Sequence, residues 1–203
     1  LIARMKEHLV RGVVIEVSAQ ALTHNRVSGI TFDTVGFTNL SHDHLDDYAD
    51  MDEYCAAKSR LFQPDVARRG VVCLDTPWGE RIVTEAHIPV TTVSSQGHPD
   101  AEWTVEILED NPAYTEFSLT SRDGTRIQTR EPVIGRHMAA NAALAIVMLI
   151  ESGYDPYVIG HALDRDGGIR AHLPGRTEKV SGESGPNVYV DFGHSPDAFE
   201  HTL

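Results

Sequence analysis

Three short apolar runs, each followed by a stretch of helical spacing, narrow the folds open to this chain more than any other feature. "GVVIEVSAQAL" (12–22) predicts a buried strand at Val13-Val14-Ile15 that turns toward a helix at Ser18. "FDTVGFTNL" (32–40) predicts a second strand and "VVCLD" (71–75) a third. Between the second and third, Tyr54, Ala57, Lys58 and Leu61 recur at helical spacing, and "WGERIVTEA" supplies a helix after the third. Strands that alternate with helices build a mostly parallel sheet with helices on its faces, the α/β class.

The middle of the chain has another texture. Residues 88–133 break into short alternating runs, "WTVEIL", "EFSLT" and "RIQTR", with "DNP" and "RDG" as turn signals. A small, largely antiparallel β insertion is expected there. "GRHMAANAALAIVMLIESG" (135–153) returns to helix and stops at Gly153. "YDPYVIGHALDR" adds a further helix, and "NVYVDFGHSPDAFEHTL" reads as a strand, a loop and the start of a helix.

Composition removes several function classes. Thirty acidic residues against 17 basic ones give a net charge of −13, which on average repels nucleic acid. Cys55 and Cys73 have neither metal-ligand nor redox spacing and suit a reducing cytoplasm. The first ten residues, "LIARMKEHLV", carry charges where a secretory signal needs an apolar run. "AALAIVML" is too short to span a bilayer, so a membrane partner is not expected. Both ends stop in mid-pattern, and the chain is expected to be a piece of a longer protein.

Three residues stand where chemistry is plausible. Glu16 interrupts an apolar run at its C-terminal end, the edge where open α/β sheets hold ligands; the alternative is a carboxylate reaching water. His44 lies in "SHDHLDD", which reads either as a metal site or as a solvated helix cap using Ser41 or Asp43. The same string is compatible with the first ligand group of a dinuclear zinc hydrolase, although no later histidine follows an apolar strand convincingly. Lys58 falls one turn beyond Tyr54 and beside Leu61 and Phe62. Either it snorkels to solvent, or chemistry such as carbamylation by carbon dioxide removes its charge.

Taken in order, "VIEVSAQAL", "FTNLSHDHLD", "YCAAKSRLF", "GRHMAANAALA", "PGRTEKV" and "VDFGHSPDAFE" resemble the Mur ligases. They look most like the branch that makes UDP-N-acetylmuramoyl-tripeptide in peptidoglycan precursor synthesis, and the likeness covers nearly all 203 residues. Each motif is loose alone; six at the right separations are specific.

The resemblance implies a P-loop-type central domain over residues 1–190 and a hinge from 191 onward leading into a C-terminal domain. It implies a cytoplasmic, monomeric ligase using ATP and Mg2+. The carboxylate of UDP-N-acetylmuramoyl-L-alanyl-D-glutamate would be activated as an acyl phosphate and captured by a diamino acid, L-lysine or meso-diaminopimelate. By motif position, Glu16, His44 and a carbamylated Lys58 would hold magnesium, with His44 and Lys58 serving catalysis. Ser18, His24 and Arg26 would meet the UDP-sugar-dipeptide. Asn141 would meet adenine, Arg176 would reach toward the γ-phosphate, and Asp191 and His194 would lie near the ribose and base.

Some positions depart from the family pattern. Ala19 and Gln20 replace Ser-His, His24 replaces a frequent Gln, Met138 replaces a common Asn, and "DFGHSP" stands for "DYAHTP". No lysine follows a glycine, so the phosphate-cradling Gly-Lys-Thr loop is not within these residues. The 203 residues by themselves are therefore expected to be catalytically inactive. A folylpolyglutamate-type ligase of the same superfamily and a non-catalytic paralogue remain the alternatives.

Overall fold

The structure, a computed structural model, describes residues 2–41, 47–171, 173–182 and 184–193. Its centre is a six-stranded sheet in sequential order: β1 (Phe32–Phe37), β2 (Ala67–Cys73), β3 (Val90–Ser94), β4 (Trp103–Asn111), β5 (Tyr114–Ser121) and β6 (Arg126–Glu131). The first four strands pair in parallel, and β4, β5 and β6 pair antiparallel. The antiparallel texture of the middle region is thus real, and its strands continue the main sheet; β3 belongs with the parallel half.

Chain length explains the offset between β3 and β4. Between β1 and β2 run α3 (Met51–Ser59) and a 3-10 turn, Arg60–Phe62; α4 (Pro77–Glu85) links β2 to β3. Such helical crossovers carry the chain back to the start of the next parallel strand. Residues 95–102, by contrast, contain no helix. They are too few to return the chain, so β4 begins beside the end of β3. Only Val93–Trp103 and Ser94–Thr104 form register pairs across this seam. From there the chain turns by hairpins, at Asn111-Pro112 and at Asp123-Gly124, where Gly124 has φ 92°.

Each sheet face has its own core. On one side Val35, Phe37, Val72 and Leu74 pack with Cys55, Phe62 and Ile82 from the α3 and α4 crossovers. On the other, Val71, Cys73, Val93, Phe117 and Leu119 meet Ala139, Ala143, Leu144 and Val147 of α5 (Arg136–Glu151). Strand alternation sends Val71 and Val72 to opposite faces, which is why β2 reads as a continuous apolar run. α6 (Pro156–Asp166) joins the second face through Ile159. A two-stranded antiparallel sheet, β7 (Glu178–Lys179) with β8 (Tyr189–Val190), follows.

One expected strand is absent. Residues 11–18 form neither helix nor strand, and Val13, Val14 and Ile15 are 49%, 97% and 41% exposed. β-branched residues gain from a strand only when neighbours cover the pleat, and among the described residues no strand pairs with this run. Short helices flank it, α1 (Ile2–Glu7) and α2 (Ala19–Thr23). The second expected strand ends at Phe37, although Leu40 beyond it is buried.

Candidate functional site

Ser18 fixes the start of α2: its Oγ accepts the Ala21 N–H at 3.1 Å, an N-cap bond. Buried Ala19 and Leu22 anchor this short helix, while His24, at its C-cap, and Arg26 are exposed. Glu16, two residues before the cap, is exposed and stands on an irregular segment, not at the end of a strand. The expected strand-end position is therefore corrected, for the same lack of a covering neighbour that leaves Val14 in solvent.

Lys58 lies near the end of α3, a helix capped by Asp50, whose carboxylate accepts the Glu53 N–H at 2.8 Å. The ammonium sits 5.1 Å from the centre of the Tyr54 ring, and Tyr54 stacks on Tyr48 at 5.0 Å. Burial lowers the Lys58 pKa, and the Glu16 carboxylate partly offsets this. The Glu16 charge is thus near enough to act on Lys58. Their expected companion His44 lies outside the described residues, as does His194. Among the described residues no group of three or more His, Cys, Asp or Glu side chains is arranged to hold a metal ion.

Asn141 points from the exposed side of α5, and its amide approaches the Met138 sulfur at 3.9 Å. Arg176 and Asp191 are brought together around the small sheet. The Asp191 carboxylate accepts the Thr177 N–H at 2.7 Å and the Gly193 N–H at 2.6 Å. Burial opposes its ionisation, but these bonds and the nearby Arg176 charge leave its pKa below the usual range. The Arg176 guanidinium lies 5.2 Å from the Phe192 ring centre.

Two carboxylates escaped the sequence reading. Asp75 follows β2, where a lone acid reads as a turn residue. Its oxygens accept Ser94 Oγ–H at 2.7 Å, Ser95 Oγ–H at 2.6 Å, and the Ser95 and Gln96 amides at 2.9 and 3.2 Å. Burial raises the Asp75 pKa, yet the serine donors outweigh it and hold the carboxyl below its ordinary value. Glu131, the last residue of β6, is 3% exposed, and its Oε1 has no hydrogen-bond partner among the described residues. Burial alone pushes its pKa up to about 7. Its parity with buried Ile127 was the available signal.

Neither thiol is poised for chemistry, because burial raises the pKa of Cys55 and lifts Cys73 to about 12. An open cavity of about 850 Å³ beside the β3–β4 seam is lined by Glu80, His98, Asp100, Glu102 and Glu151 among others, and by none of the expected site residues that the structure describes. No helix among the described residues is long and apolar enough to cross a membrane.

Comparison with known proteins decides the family. Residues 1–149 match the Mur ligase middle domain. The chain belongs to the Mur ligase family. It is 58% identical over all 203 residues to the UDP-N-acetylmuramyl-tripeptide synthetase of Leifsonia xyli subsp. xyli. It is 38% identical, again over its whole length, to the UDP-N-acetylmuramoyl-L-alanyl-D-glutamate--2,6-diaminopimelate ligase of Streptomyces avermitilis. The Mur ligase chain spans 40% and 39% of these two relatives. A solved structure of a UDP-N-acetylmuramoyl-L-alanyl-D-glutamate--2,6-diaminopimelate ligase superposes with a TM-score of 0.73 at 24% identity, over 90% of this chain and 37% of that one. That likeness establishes the shared fold.

Proposed function

We propose that the complete protein is an ATP-dependent ligase of peptidoglycan precursor synthesis, working in the cytoplasm as a monomer. It adds a diamino acid, L-lysine or meso-diaminopimelate, to UDP-N-acetylmuramoyl-L-alanyl-D-glutamate through an acyl phosphate. The observation that carries this reading is the 58% identity, along the whole chain, to a tripeptide synthetase.

Residues 1–190 form the central domain, and residues from 191 lead toward a further one. Glu16, His44 and Lys58 would hold magnesium. Glu16 suits that ion as an oxygen donor, whereas an ammonium does not. Lys58 fits only after carbon dioxide adds to its neutral amine, forming an N–C bond and releasing a proton. The lowered Lys58 pKa favours that neutral form. Bound magnesium would offset the negative charge of the reacting phosphate and carboxylate. Ser18, His24 and Arg26 would contact the UDP-sugar-dipeptide, Arg26 with a guanidinium suited to carboxylate or phosphate. Asn141, Arg176, Asp191 and His194 would surround the nucleotide.

The test uses the complete polypeptide. Phosphate release is followed with ATP, magnesium and UDP-N-acetylmuramoyl-L-alanyl-D-glutamate, adding L-lysine or meso-diaminopimelate in turn. Release that depends on one amine is expected and names the substrate; folded protein that binds ATP but responds to neither amine defeats the reading. Replacing Lys58 by Ala is expected to abolish activity, with partial recovery on adding short carboxylic acids.

A further inference from the structure

The Asp75 network reaches beyond the strand that carries it. Ser94, fully buried, donates through Oγ to Asp75, and the same Oγ accepts the Gln96 and His98 amides at 3.0 and 3.1 Å. One carboxylate beyond β2 therefore shapes the turn that leaves β3. The Ser95 carbonyl in that turn accepts Arg136 Nη1–H at 2.7 Å. Arg136 is the first residue of α5, whose N-cap, Gly135, has φ 111° and no side chain to cap the helix. A second tether, from the Gly135 N–H to Thr115 Oγ1 at 3.1 Å, ties the start of α5 to β5. The start of α5 is thus placed by two side-chain bonds, one of them relayed from Asp75.

We propose that Asp75 is a positioning residue for the nucleotide site, acting through Ser95 and Arg136 on the first turns of α5, where Asn141 stands. The proposal rests on the ligase reading, since that reading makes Asn141 a nucleotide contact. Asp75 does not itself touch the nucleotide in this scheme. It fixes the loop whose carbonyl holds Arg136, and a carboxylate held by four neighbouring donors is a stiff anchor for it. An Asn at position 75 keeps the shape but sets an NH2 group against hydroxyl and amide donors. The loop then shifts, and Arg136 loses a fixed acceptor.

The experiment uses the complete protein and the variants Asp75→Asn, Arg136→Gln and the double variant, with Ser95→Ala as a milder break if Asp75→Asn folds poorly. ATP binding is measured first, then KM and kcat. The expected result is an approximately tenfold rise in the KM for ATP in each single variant, with kcat changed by less than about threefold. In the double variant the rise should not exceed that of the larger single, because both break one relay. Hydrogen exchange at residues 136–139 should quicken in Asp75→Asn as well as in Arg136→Gln. A lowered Tm with unchanged KM for ATP, or effects that multiply in the double variant, overturns the proposal. Wild-type protein that does not bind ATP overturns the ligase reading instead, and the nucleotide role of Asp75 with it.

Discussion

The ends of β2 and β6 each withdraw a carboxylate from water, with opposite results. At the end of β2, Asp75 meets the donors of Ser94, Ser95 and Gln96 and stays readily ionised. Glu131, at the end of β6, meets no donor at Oε1 among the described residues, and its proton is retained up to about pH 7. Burial penalises the charged form in both places; the difference lies in the donors aimed at it. The Asp75 arrangement ties neighbouring loops together, while the Glu131 arrangement costs stability once the group ionises.

The contrast breaks most sharply at Gly79. A Cβ built there would lie 2.0 Å from the Cys73 carbonyl oxygen, so α4 can leave the end of β2 only over a bare backbone. Gly79→Val is expected to destabilise the protein by about 4 kcal/mol in urea unfolding, near the upper end for single substitutions. An effect near zero would show that the β2 end is plastic and could not anchor the relay.

Glu131 gives the next largest effect, with the opposite sign. Its pKa is raised in the folded state, so its contribution is present below its unfolded value of 4.5 and is lost as pH climbs through about 7. Glu131→Gln mimics the protonated form and is expected to gain on the order of 3 kcal/mol at pH 8. Little difference is expected at pH 4. Equal stability of the two proteins across that window would mean that water reaches the buried oxygen.

Asp75→Asn should cost about 2 kcal/mol at pH 7, the scale of hydrogen bonds to a charged acceptor. Its pKa is lowered on folding, so that contribution is present above 3.8 and fades as pH falls through the folded value. Wild type and variant should therefore converge in acid, as denaturation midpoints at pH 7 and pH 2.5 would reveal. The smallest effect belongs to a control in the open. Arg68 and Asp33 pair at 2.6 Å with side chains 70% and 73% exposed, and Asp33→Ala should change stability by less than about 0.5 kcal/mol.

These residues also mark how far the sequence can be read. β1, β2, α4, α5 and α6 follow from period and punctuation, because their apolar positions meet partners within the chain. Val13-Val14-Ile15 reads as a strand by the same rule and is not one here, since composition reports what a segment would bury and not whether a neighbour arrives. Motif order points to Glu16 and Lys58 as site residues, and in the fold the Glu16 charge acts on Lys58. Asp75 was missed because its donors come from a turn some 20 residues onward, Ser94 and Ser95, which no local pattern links to it. Glu131 could have been suspected from alternation with Ile127, but alternating charge in a hairpin ordinarily signals a wet face.

The junction between the parallel and antiparallel halves has a mechanical meaning. Elsewhere in the six-stranded sheet neighbouring strands share four to eight register pairs, but β3 and β4 share two. Beyond the ladder, Thr92 Oγ–H of β3 donates to the Asp100 carbonyl at 3.0 Å and the same oxygen accepts the Glu102 N–H at 2.9 Å, just before β4 begins. Pulled apart across its strands, the sheet would tear along this line first. Each half would come away with its hydrogen-bond ladder whole, and the continuous helix α5 would be left bridging the gap.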